Sequence, residues 1–132
     1  MPIIKANLDH WFTYHPPTDD TGPKYATILA AEQECQALVH RIAGGAISGV
    51  SGFAEVTTTV RAFADLCLDL VPGSADLSAA IRCIRLARNA CNECLALSER
   101  NESYSIWLID IARAEFTKAR WQANAAIACE GR

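Results

Sequence analysis

The sequence has little charge of either sign and no long apolar run. Lys and Arg number 12 and Asp and Glu 15, charged residues are 20% of the 132, and the formal net charge is −3. A partner of long nucleic acid needs a basic excess, so that class is excluded, and an anionic ligand has to be small and met by a local basic cluster. No apolar stretch approaches the roughly 20 residues of a membrane span. The start, MPIIKANLDH, has only two apolar residues between Pro2 and Lys5, which is no signal peptide. A cytoplasmic location is therefore expected, with the six cysteines reduced. No convincing pair of hairpin strands is present.

Catalytic signatures are also missing. There is no GxSxG and no Walker-type phosphate loop beside the three histidines, His10, His15 and His40. Glu32 and Glu34 stand two apart on a predicted helix and so point to different sides. The stretch GGAISGVSG (44 to 52) has the glycines of a phosphate cradle and reads better as a flexible interhelical loop. Cys91-Asn92-Glu93-Cys94 is a CxxC with no second pair to complete a tetrahedral zinc site, and it lies deep in a helix rather than at a helix start. Buried small hydrophobes are the better account of those thiols. No catalytic residue, metal or cofactor is expected, and the protein is read as a non-enzyme.

What is present is helical periodicity. Hydrophobic residues make up 51% of the chain, enough for a core. Steps of three and four place Ile28, Ala31, Cys35, Leu38, Val39 and Ile42 on one face of a helix over 24–43, opened by Thr21-Gly22-Pro23. Phe53, Val56, Val60, Phe63, Cys67 and Leu70 form a narrow seam on a second helix, 53–71, which suits pairing with another helix or another subunit. Ser74 or Asp76 caps a third, 74–99, and a fourth spans 103–129. The expectation is one all-α domain over 1–132, a bundle of about four helices behind an arm at 1–23. An echo at an offset of 32 residues links ARNACNECLALSER (87 to 100) with ARWQANAAIACEGR (119 to 132). Alanine-rich helices produce such matches by composition, and that reading is favoured over duplication.

Two clusters could meet an anion. HWFTYHPP (10 to 17) crowds Trp11, Phe12, Tyr14 and His15 ahead of the stiff Pro16-Pro17 pair. Lys24 and Tyr25 follow in the first helical turn, where free N–H groups attract phosphate. Rings to stack on bases beside a cation make a nucleotide site, while the plain alternative is an aromatic arm stapled to the bundle. Arg82, Arg85 and Arg88 form a stripe on the third helix with no acid at i+4 from Arg82 or Arg88, free for a ligand or a subunit contact.

WFTYHPPTDDTGPKYATILAAEQECQALV, PGSADLSAAIRCIRLARNACNECLA and ANAAIACEG resemble the small helical-hairpin proteins of bacteriophages that act as cyclic-nucleotide sponges against CBASS and Thoeris immunity. The shared features are an FTYHPP-like start, a Lys-Tyr pair opening an alanine-rich helix, and an Ala-Asn-Ala-x-Ile-Ala ending. The segments around 44 to 70 and from 97 onward depart from that pattern. The resemblance implies a symmetric homo-oligomer of helical hairpins in the host cytoplasm, enclosing a cyclic dinucleotide, a cyclic trinucleotide or a cyclic ADP-ribose isomer without cleaving it. It implies that Tyr14 stacks on a base, that Lys24 meets a phosphate, and that Arg82 and Arg85 serve a second, inter-subunit pocket. With Trp11, His15 and Tyr25 beside them, these are the expected ligand-binding residues. The alternative is a helical structural or interaction protein of a phage or bacterial assembly.

Overall fold

The computed structural model describes residues 16–97 and 102–129. Four helices occupy them, α1 (Thr21–Ala43), α2 (Gly49–Leu70), α3 (Ala75–Ala96) and α4 (Glu102–Ala128), with no strand among the described residues. Each helix overlaps its predicted span, and the differences at the ends have local causes.

Helix α1 begins at Thr21 rather than Lys24 because two threonines close a reciprocal cap. The Thr21 backbone N–H donates to Thr18 Oγ1 at 3.1 Å, and the Thr18 N–H donates to Thr21 Oγ1 at 2.8 Å. Only 44–48 of the glycine-rich stretch is loop. Gly45, at φ 75°, and Gly49, at φ 66°, take conformations that other residues resist. Gly52 is already helical and buried, since a Cβ there would come within 3.3 Å of the Leu95 methyls. That glycine marks a close approach of α2 to α3. At the next corner Ser74 is the cap used, its Oγ accepting the Leu77 N–H at 3.1 Å.

Short turns make successive helices antiparallel, and α4 returns beside α1 to close a four-membered ring with α1 and α3 on one diagonal. Side-chain contacts fix the registers. Arg41 meets Glu55 at 3.0 Å and Cys35 Sγ reaches the Thr59 carbonyl at 3.8 Å, while Arg120 meets Glu32 at 2.9 Å and Gln36 reaches Thr117 at 3.3 Å. In each pair of helices the numbering rises on one side as it falls on the other. Phe63 of α2 and Phe116 of α4 meet across the centre, ring centroids 6.3 Å apart, and both are fully buried.

The α2 seam does not face another subunit. Val56, Val60, Phe63 and Cys67 are buried within the chain's own core. The periodicity was sound, but a seam finds the nearest apolar face, and here α1 and α3 supply it. No helix among the described residues is long and apolar enough to cross a membrane.

Three cysteines belong to that core. Burial pushes the thiols of Cys35, Cys67 and Cys91 up from 9.0 to about 12. Cys91 of the CxxC is thus placed as a small hydrophobe, and Cys94 packs against the core beside it. A thiol whose pKa is raised by folding stabilises the fold fully below the unfolded value, and that stability is lost as pH rises through the folded value. The denaturation midpoint is expected to fall steadily from pH 9 upward. Replacing the three with alanine should flatten this fall, and a wild-type midpoint unchanged between pH 9 and 11 would contradict the assignment.

Candidate ligand-binding groove

The expected site residues are not gathered into one pocket. Trp11, Tyr14 and His15 lie outside the described residues. Because α1 starts at Thr21, Lys24 and Tyr25 are its fourth and fifth residues rather than its opening pair; both are half-buried, and Tyr25 packs against the core. Arg82 and Arg85 are exposed on α3, diagonally across the bundle from α1. Of these, Arg85 lines a groove and Arg82 does not.

That groove runs between α2 and α3 and has a volume of about 410 Å³, within the range of small-ligand pockets. Its floor is Val60, Ala64 and Ile84, and its walls carry Thr57, Arg61, Arg85, Arg88, Asn89 and Asn92. Antiparallel packing builds it. The i, i+3 spacing puts Arg85 and Arg88 on one face of α3, and Arg61 of α2 lines the same groove. Arg88 is held in place by its neighbour, its Nε and one terminal nitrogen donating to Asn89 Oδ1 at 3.3 and 3.0 Å. That bond orients the guanidinium without neutralising it.

Charge separates this groove from the larger pocket of about 500 Å³ near the end of α1. The larger pocket is lined by Glu102 and Asp110 against Arg113 alone, which disfavours an anion. The groove is lined by three arginines and no acid. Asp65 stands 3.8 Å from Arg61, with both side chains more than half exposed, and an ion pair of that kind is worth little. Arg85 has no acidic partner among the described residues. On a chain of net charge −3 the groove is a local basic cluster with an apolar floor. Such a site suits a small anion that also carries a flat or apolar part.

Of the groove's lining, the sequence reading named Arg85 as a ligand residue together with Arg82, placed Arg88 in the same stripe, and did not single out Arg61, Asn89 or Asn92. Arg61 was hidden because α2 was read for its apolar seam alone. Its place beside α3 depends on a register that no local pattern displays. Outside the groove, Trp107 and Trp121 are each more than half exposed on the outer face of α4. Trp107 stacks on Tyr104 at 5.6 Å, and the Tyr104 hydroxyl donates to Glu93 of α3.

No protein-family model matches this chain, and neither the curated proteins nor the solved structures contain a match.

Proposed function

We propose that the protein is a non-catalytic sponge that binds and sequesters a cyclic nucleotide or cyclic ADP-ribose-type second messenger of antiphage immunity. The observation that carries this reading is the groove between α2 and α3, where Arg61, Arg85 and Arg88 surround an apolar floor. Guanidinium forks match phosphate oxygens, and the amides of Asn89 and Asn92 offer polar edges for a base or ribose. The resemblance of the FTYHPP stretch, the Lys24-Tyr25 pair and the ANAAIA ending to the phage sponge proteins supports the same class. Arg88 takes over from Arg82 the role beside Arg85. Tyr14 and Lys24 remain the residues proposed for a base and a phosphate at the arm. A sponge works by stoichiometric capture, so tight binding and slow release serve it rather than turnover.

Titrating the purified protein with a panel of cyclic dinucleotides, cyclic trinucleotides and cyclic ADP-ribose isomers tests the proposal. At least one should bind with micromolar or tighter affinity, and 0.5 M salt should weaken it, since charge supplies much of the attraction. A panel in which nothing binds would remove the reading.

The exposed Trp107 and Trp121 favour a second reading, a helical interaction protein. Under it, exchanging both for serine would leave the fold intact and abolish partner capture or self-association, while Arg85 and Arg88 would be dispensable. Under the sponge reading this same face is the surface available for a homo-oligomer, because the α2 seam is used internally.

A further inference from the structure

The outer side of α4 is arranged symmetrically about Ala114. Steps of four and three lead from Ala114 back to Asp110 and Trp107, and steps of four and three lead forward to Lys118 and Trp121. All five residues are exposed, Trp107 at 57% and Trp121 at 59%. The helical period puts them on one stripe, opposite the side on which Ala112, Phe116, Ala119 and Ala123 are buried. One further step of four in each direction reaches the small residues Ser103 and Ala125, both exposed.

Such a stripe is complementary to itself. Two antiparallel copies of α4, related by a two-fold axis at Ala114, bring each residue level with the one equally far from Ala114 on the other chain. Trp107 of each copy then lies level with Trp121 of the other, and Asp110 with Lys118. The two Ala114 side chains meet at the centre, where their small size lets the helices approach closely. A parallel alignment would instead set Asp110 against Asp110 and Lys118 against Lys118, so charge selects the direction.

The two charges retain capacity for a partner. Asp110 forms no ion pair among the described residues. Lys118 meets Glu115 of its own helix at 3.1 Å, yet its side chain is 56% exposed and an ammonium carries three donors. Exposed ion pairs contribute little affinity, so the four tryptophans would supply the attraction and the charges the register.

We infer that the chain forms a symmetric dimer through α4, its partner a second copy running antiparallel with the two-fold axis at Ala114. Partner, direction and register are thereby fixed, whatever the groove between α2 and α3 binds. That groove lies away from the pairing face, so both copies keep it open.

Sedimentation of the purified chain at about 100 µM should show a dimer. Asp110→Lys alone sets lysine against lysine on both sides of the axis, and Lys118→Asp alone sets aspartate against aspartate. Each should weaken the dimer by roughly tenfold or more. The double variant Asp110→Lys with Lys118→Asp exchanges the charges and should pair again. Mixing the two single variants is the most specific test, because only their heterodimer brings unlike charges level, and it should form more tightly than either homodimer. Trp107→Ser with Trp121→Ser should leave a monomer, with cooperative melting to show that it is folded. If the tryptophan variant does not fold, the charge series still decides. A monomeric wild type overturns the inference, as does a dimer whose strength neither single reversal changes, or single variants that fail to pair when mixed. A dimer that binds no cyclic nucleotide would remove the sponge reading and leave this inference standing, and a monomer that binds one would do the reverse.

Discussion

Exchanging Arg85 and Arg88 together for glutamine should lower the affinity for the proposed cyclic-nucleotide ligand by about two to four orders of magnitude. Both guanidiniums line the groove; a charge-assisted hydrogen bond from each is worth about 1.5 to 3 kcal/mol, and the sum converts to that range of Kd. Stability should hardly move. Arg85 is exposed and, among the described residues, Arg88 bonds to the neutral amide of Asn89, so neither removal strands a buried acid there. The melting temperature is expected to stay within a few degrees while the binding isotherm collapses. An Arg82→Gln control should leave both almost unchanged, because Arg82 does not line the groove. Equal losses from Arg82 and Arg88 would show that general charge, rather than the groove, attracts the ligand.

Phe63→Ala should have the largest effect on stability, about 3 to 5 kcal/mol. The side chain is fully buried and its ring meets Phe116 across the centre of the ring of helices. Truncation removes the contact between diagonal helices and leaves a cavity that four antiparallel helices close only partly. Against a total of about 5 to 15 kcal/mol for a domain, that is a large fraction. A shift of roughly 10 to 15 °C in melting temperature is expected for a chain of this size. Phe53→Ala makes the contrast, because Phe53 lies on the same predicted seam but is only half-buried. If the two variants melt together, α2 does not present its seam inward.

These outcomes depend on different levels of legibility in the sequence. The helices were readable because the steps of three and four at Ile28 to Ile42 and Phe53 to Leu70 report burial directly. Their ends were less so. The cap at Thr18 and Thr21 uses a residue upstream of the marked turn, and Gly52 joins a helix only because Leu95 lies against it. Long-range register was not readable at all. Nothing near Glu32 announces Arg120, and nothing near Arg61 announces Arg88. The sequence separates Glu32 from Glu34 by face, as the fold does, burying the first and exposing the second. It does not say that the buried one meets a cation.

The sponge account makes one central claim, that a messenger is captured and left intact. The direct measurement mixes purified protein with the cyclic-nucleotide panel, removes unbound ligand, denatures the protein, and identifies the released molecule by mass and chromatography. The account predicts an intact cyclic nucleotide recovered near a stoichiometric amount, and its loss from the Arg85 and Arg88 double variant. A linear or cleaved product would contradict it by showing turnover, and an empty eluate would contradict it by showing no capture.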